Sequence, residues 1–304
     1  MAITGNRSYA AAHFGLELDG SDSVGLFRSI EGGGVRADVM TYQNGGDYLR
    51  MRQLGKPKFE DIKVQVGMAM SQPFYAWIEN FFAGKAVRKT GAIVAADFYY
   101  NERARREFDG AMIKELTFPK LDASDKNAAY MSVGIAVETI KFLPGKPQKL
   151  PQPKGFDAQK LWTACNFSFR LDGFDDACKR VSKVDSFTVK QNVIEYHMGG
   201  VRAPIKTSSG IDFPTIAFYV PEADADMFTA HAEKRVVKGD VPGKLHGQLQ
   251  TFDNERRPLF TLEFTGADIL SVTPDRSDSS SEDIKQVKVE LYTEGMKFSY
   301  ATLA

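Results

Sequence analysis

HFGLELDG occupies residues 13–20 and NFSFRLDG occupies residues 166–173. Aligned, Phe14, Leu16, Leu18, Asp19 and Gly20 are answered by Phe167, Phe169, Leu171, Asp172 and Gly173. One alternating phrase written twice, half a chain apart, marks an internal repeat, and period-2 alternation makes the repeated unit a β domain. The offset is 153 at His13 and Asn166, and 154 where VRADVMTYQNGG (35–46) faces VKQNVIEYHMGG (189–200). There Tyr42, Gly45 and Gly46 meet Tyr196, Gly199 and Gly200, after which KFEDIKVQV (58–66) faces DFPTIAFYV (212–220). NER recurs at 101–103 and 254–256, and FDGAMI (108–113) faces FTGADI (264–269) at an offset of 156. Near each end the alternation changes phase: Val133, Ile135 and Val137 give way to Ile140 and Phe142, as Val289, Leu291 and Thr293 give way to Met296 and Phe298. One extra residue turns every later side chain to the other face, so the shared switch predicts a β-bulge in both halves.

Between the halves, PGKPQKLPQPKGF (144–156) is a Pro/Lys-rich linker, extended and semi-rigid. The expected domains are therefore 1–143 and 157–304, with Phe14 and Phe167 in equivalent core positions. In the first, alternating runs at 13–18, 35–40, 59–66, 92–100, 108–118 and 132–142 predict strands separated by Gly, Asn and Asp turns. Ser71 as a cap, Pro73 in the first turn, and Phe74, Trp77, Ile78 and Phe81 at helical spacing predict one helix with a buried apolar stripe. The equivalent segment 221–237 opens with Pro and acids but carries a thinner stripe, so the two helices are expected to pack on different things. The fold class is mainly β: two tandem β-sandwich or barrel domains, each with one flanking helix.

Composition narrows the function. The 304 residues suit two domains, 43% hydrophobic content supplies their cores, and no apolar run is long enough for a membrane span, which predicts a soluble chain without a membrane partner. The N-terminal MAITGNRSYAAAHF lacks a basic region followed by an apolar core, so no secretion signal is expected. Thirty-nine basic and 39 acidic residues cancel, which argues against nucleic-acid binding through a strong overall field. Cys165 and Cys178 are too few for a disulfide framework and read as reduced packing residues. His13, His197, His231 and His246 form no metal-binding spacing or nucleophile motif. Glu102 and Glu255 lie among arginines at expected turns and read as solvated, salt-bridged charge rather than general bases. GGG at 32–34 precedes a β run, unlike a phosphate-cradling loop, and SDSSSED (277–283) reads as an exposed acidic loop. No catalytic, cofactor or metal site is expected.

GGDYLRMRQLGKPKFEDIKVQVG (45–67), Trp77, FDGAMIKELTFPKLDA (108–123) and VGIAVETIKF (133–142) stand in an order that resembles the tail-tube proteins of contractile phages and phage-tail-like injection systems. Arg50, Arg52, Gly55, Lys58, Phe59, Ile62, Val64, Gly67 and Trp77 carry it; Leu54, and Gln65 with Val66, depart from the family's Pro and Lys-Arg. The resemblance covers 1–142 directly and the second half only through the repeat. It implies domains joined edge to edge into rings, and rings stacked into a hollow conduit for DNA or effector cargo. That arrangement also gives exposed strand edges a partner. It further implies assembly in the bacterial cytoplasm, a place in a virion tail or injection-system particle, and sheath, baseplate and tape-measure proteins as partners.

The segment 42–59 would be an arm reaching an adjacent ring, with Tyr42, Gly45, Gly46, Arg50, Arg52, Lys56 and Lys58 as contact residues, against the plainer reading of a surface hairpin. Two domains per chain let three chains complete a ring of six domains, a trimer with pseudo-sixfold symmetry; the alternative is a hexamer of twelve domains. An adapter at the tube's end and a β-barrel enzyme or small-molecule binder remain the competing functions.

Overall fold

The computed structural model describes residues 13–20, 24–43, 45–46, 48–151, 162–240, 243–275 and 284–300. The acidic loop at 277–283 lies outside them. The first half runs β1 (His13–Leu18), β2 (Gly25–Gly32), β3 (Val35–Tyr42), β4 (Met51–Phe59), β5 (Ile62–Met70), α1 (Gln72–Phe82), β6 (Lys89–Ala96), β7 (Glu102–Phe118), β8 (Leu121–Asp122), β9 (Met131–Ala136) and β10 (Thr139–Pro144). The second runs β11 (Phe167–Leu171), α2 (Asp175–Cys178), β12 (Lys183–Val184), β13 (Phe187–Tyr196), β14 (Ile205–Asp212), β15 (Ile216–Pro221), α3 (Asp226–Ala232), β16 (Leu245–Phe252), β17 (Pro258–Pro274), β18 (Gln286–Tyr292) and β19 (Gly295–Tyr300). A 3-10 turn (Glu222–Asp224) precedes α3 and a π turn (Glu233–Val237) follows it.

Strand order in the first half is β1-β6-β7-β9-β5-β2, with β10 also on β7. In the second it is β11-β16-β17-β18-β15-β12, with β19 also on β17. The registers correspond as well: Ile30 faces Val64 as Val184 faces Phe218, and Arg36 faces Lys58 as Lys190 faces Asp212. In each half the order is barrel-like, and Val24 N–H donates to the Leu16 carbonyl at 2.9 Å near the first sheet's two ends.

The opening phrase has a local cause. Leu16 and Leu18, like Phe169 and Leu171, point into the core, and the following Asp-Gly turns the chain. Asp19 N–H donates to the Thr90 carbonyl at 2.8 Å, and Asp172 N–H donates to the His246 carbonyl at 2.9 Å. Beside each turn a glycine permits close approach: a Cβ on Gly91 would lie 2.1 Å from the Glu17 carbonyl oxygen, and one on Gly247 would lie 2.4 Å from that of Arg170. The rings of Phe108 and Phe264 occupy the space those side chains would take. Phe14 is not a core residue, contrary to expectation. It holds the same register as Phe167 but sits at the outer end of its strand, 37% exposed, and Phe167 is half-buried.

The phase switch is a strand break rather than a bulge. β7 bends at Gly110 (φ 63) and β17 at Gly266 (φ 64), each passing from one sheet layer to another. β10 pairs with β7 before this bend and β9 after it, so the chain must leave one layer between them, at Val137 and Glu138. Register shifts shared by the two halves lie elsewhere, among them those between Ile113 and Glu115 in β7 and between Ile269 and Ser271 in β17.

The NER match is three residues out of structural register. Asp97 accepts backbone N–H bonds from Tyr99 and Asn101, as Asp253 does from Glu255 and Arg257, so Asn101 corresponds to Arg257.

Candidate assembly surfaces

One hydrophobic cluster runs through both halves. At its centre β13 pairs with the end of β7: Phe187 faces Phe118, Thr188 faces Thr117, Val189 faces Leu116 and Lys190 faces Glu115. The Thr117 and Thr188 hydroxyls are 2.9 Å apart, and β12 pairs with β8 alongside. The repeat units are thus joined by continuous sheet, with backbone donors and acceptors satisfied across the seam.

Helix α1 seals this seam. Phe74, Trp77, Ile78 and Phe81 are buried as predicted, but Tyr75 and Phe82 are buried too, so the helix has a second covered face. Trp77 donates its indole N–H to the Val87 carbonyl at 2.9 Å. On the second face Tyr75 stacks on Tyr300 with centroids 3.6 Å apart, and Phe82 stacks on Phe298 at 5.8 Å. Ser71 caps by position only, since its hydroxyl makes no capping bond. In the second half, α3 buries only Phe228, and His231 of α3 and Arg235 of the π turn after it tie the segment to its own β17, both paired with Asp268.

The segment 42–59 is the turn and return strand of a hairpin: β3 and β4 form a two-stranded sheet of their own. Tyr42, Gly45, Gly46, Arg50, Arg52, Lys56 and Lys58 are all exposed, with Lys58 paired to Asp38 at 2.6 Å. Val35, Val39, Met40, Met51 and Leu54 are exposed apolar residues on the same hairpin. β13 and β14 form its counterpart, with Ile194, Tyr196 and Val201 exposed. This second hairpin rests on the first half, where Lys206 is buried beside Asp61 and Glu195, and Arg202 donates to the Gly55 carbonyl at 3.3 Å.

The remaining candidates are structural. Glu102 is salt-bridged as expected but buried rather than solvated, because the Arg105 guanidinium bonds it at 2.7 Å and Glu17 at 2.7 Å inside the barrel wall. Burial pushes the Glu102 carboxyl up, but the bonds from Arg105, Gln148 and the backbone outweigh it, so the group is held ionised. Glu255 is exposed. Burial raises the Cys178 thiol to about 12, leaving it unreactive at neutral pH. His13 stacks on Tyr100, His231 pairs with Asp268, and His197 and His246 are exposed. Among the described residues no group of His, Cys, Asp and Glu is placed to hold a metal ion, and no helix is long and apolar enough to cross a membrane. Residues 144–151 are not a free spacer: Leu150 is buried on the first half, and its N–H donates to the Tyr100 carbonyl at 2.7 Å.

A mainly β repeat with edge-joined units and projecting hairpins is the class this fold defines. Residues 10–141 match the sequence model of the T4-like virus tail tube protein gp19 family. None of the curated proteins matches. Among solved structures, the chain is similar to a chain of the anti-feeding prophage cap, the AFP tube terminating cap, at 19% identity, covering 47% of this chain and 99% of that one with a TM-score of 0.40. A chain of the PVC sheath/tube terminator of an extracellular contractile injection system, in the extended state, matches at 16% identity, 45% and 97% coverage and a TM-score of 0.40. A chain of the sixfold-symmetrised anti-feeding prophage baseplate matches at 14% identity, 45% and 93% coverage and a TM-score of 0.35.

Proposed function

We propose that this protein is a structural tail-tube subunit, a tandem duplication of the tube domain that assembles into stacked rings enclosing a conduit for DNA or effector cargo. The seam between β7 and β13 carries the reading, because it is a domain-to-domain sheet contact already made within one chain. The domains are 1–143 and 157–304, and the chain has no catalytic role and needs no cofactor. Three chains supply six domains, so the ring is a trimer with pseudo-sixfold symmetry. The projecting hairpins contact adjacent rings through Tyr42, Arg50, Arg52, Lys56 and Lys58 and their neighbours. Sheath, baseplate and tape-measure proteins are the expected partners in a virion tail or injection-system particle assembled in the bacterial cytoplasm.

A second reading, an adapter at the tube's end, is favoured by the unequal halves. α1 seals a seam while α3 folds back on its own strand, so a ring of three would present two kinds of surface in alternation. Negative-stain microscopy of the purified protein tests both. Long stacked tubes support the tube subunit, short capped stacks the adapter, and a monomer at high concentration refutes both.

A further inference from the structure

Several positions at the seam within the chain have counterparts that the repeat leaves partly or wholly uncovered, with smaller side chains: Phe118 is answered by Pro274, Phe82 by Val236, and Phe187 by Gly33, which is itself buried. Leu116 and Phe118 in β7 are buried at 0% and 2% exposure. Their equivalents on β17, at an offset of 156, are Val272, half-buried, and Pro274, exposed. The edge of β17 at Ser271–Pro274 that corresponds to the β13-bound edge of β7 carries no strand among the described residues. At the opposite end, Val35 and Arg36 stand where Val189 and Lys190 stand in the second half, but among the described residues β3 pairs only with β4. Val35 is 53% exposed, whereas Val189 is fully buried.

The helix contact repeats the pattern. Phe298 on β19 is 2% exposed because Phe82 of α1 lies on it. Its equivalent on β10, Phe142, is 56% exposed. Phe82 corresponds to Val236 at the end of the α3 segment, which is 63% exposed beside Val237. One end of the chain therefore offers the start of β3 and an uncovered apolar residue on β10. The other end offers the matching edge and an uncovered apolar helix end.

We infer that the interface between neighbouring chains is a shortened copy of the seam within each chain: Ser271–Val272 of one chain pairs antiparallel with Val35–Arg36 of the next. The register carried over from the internal seam sets Val35 against Val272 and Arg36 against Ser271. Val236 and Val237 at the α3 end then cover Phe142 and Leu143 of the next chain, as Phe82 covers Phe298. The partner is a second copy of this chain. Such an interface is heterologous and head-to-tail, so it propagates until it closes. The inference rests on the ring-forming reading above, but it fixes residues that reading leaves open.

The test uses the full chain carrying Val35→Cys with Val272→Cys, treated with a short thiol cross-linker. Each single variant serves as a control for the native Cys165 and Cys178, and a mixture of isotope-labelled and unlabelled chains identifies links between molecules. The expected result is a cross-linked peptide joining positions 35 and 272 of different chains, seen only in the double variant, with covalent species ending at three chains. Species continuing beyond three would support the interface and overturn the three-chain ring. Rings in the microscope without the 35–272 link would overturn the inference and leave the ring-forming function standing. As a second measurement, Phe142→Asp should keep the circular dichroism spectrum of the unassembled parent chain and fail to assemble, because that side chain lies mostly in solvent within a single chain. Normal assembly of this variant would also overturn the inference.

Discussion

Phe298 and Phe142 occupy the same place in the two repeat units, and truncating each should have unequal consequences for the isolated chain. Phe298 is 2% exposed and touches the rings of Phe82, Phe260 and Phe118, with centroids at 5.8, 5.4 and 6.5 Å. Phe298→Ala forfeits the burial of an aromatic side chain, about 2–3 kcal/mol, and its ring contacts, about 0.5–1.5 kcal/mol for a well-placed pair. It also leaves a cavity, and such truncations cost about 3–5 kcal/mol altogether. If the two halves unfold together, as one shared core requires, each kcal/mol lowers Tm by roughly 2–4 °C in a chain of this order of size, giving a fall of roughly 6–20 °C. Phe142 is 56% exposed and already meets water over most of its surface. Phe142→Ala should therefore cost no more than about 1 kcal/mol in the unassembled chain, by the same area argument. Dilute samples below the assembly concentration, unfolded in urea and followed by circular dichroism and by tryptophan fluorescence from Trp77 and Trp162, give both numbers. Equal losses for the two variants, or a loss under about 1 kcal/mol for Phe298→Ala, would refute the claim that the halves are sealed to one another at this point.

Gly91→Ala and Gly247→Ala should each destabilise the chain by at least about 1–3 kcal/mol through overpacking, since the added methyl meets backbone oxygen and an aromatic ring; chemical denaturation measures it. Asp97 gives a pH dependence. Partial burial raises its carboxyl, but bonds from Arg103, from Asn101 and from the backbone of Tyr99 outweigh it and hold the group at about 2, below its ordinary 3.8. A carboxyl depressed in the folded state stabilises above its unfolded value, so this contribution is complete above about pH 4 and fades as pH falls towards 2. Asp97→Asn should flatten that part of the acid unfolding profile, and an unchanged profile would contradict the assignment. Replacing residues 39–54 of the first hairpin with an Asn-Gly turn should leave Tm nearly unchanged while preventing rings from stacking; tubes of normal length from this variant would show that the hairpin is not the inter-ring contact.

The repeat and its strands were legible where one face of a strand is buried. β5, β9 and β18 alternate cleanly because Val64, Val133 and Val289 all point into the core. Strands β4 and β14 gave no such signal, since nearly every side chain of MRQLGKPKF and IKTSSGID is exposed or half-exposed and neither face packs on a core. β2 was hidden by irregular register, with shifts at Phe27 and Ser29 that interrupt its alternation. The helical spacing of Phe74, Trp77, Ile78 and Phe81 found the face of α1 that packs within its own half. Tyr75 and Phe82 fell outside that stripe because their partners, Tyr300 and Phe298, come from the other end of the chain. No local pattern carries such a contact; only the repeat could have suggested it, through the excess of aromatic residues in one helix over its counterpart. The β12–β8 pairing spans two residues on each strand, too short to leave a period.

The central claim, that the duplicated chain closes a six-domain ring, is tested most directly by cryo-electron microscopy of end-on particles averaged without imposed symmetry, with native mass spectrometry giving the chain count. Three chains per ring are expected, with sixfold-like density at low detail that resolves into alternating seams, α1 sealing one kind and the α3 segment the other. Rings of six chains, or a chain that stays monomeric at every concentration, would contradict it.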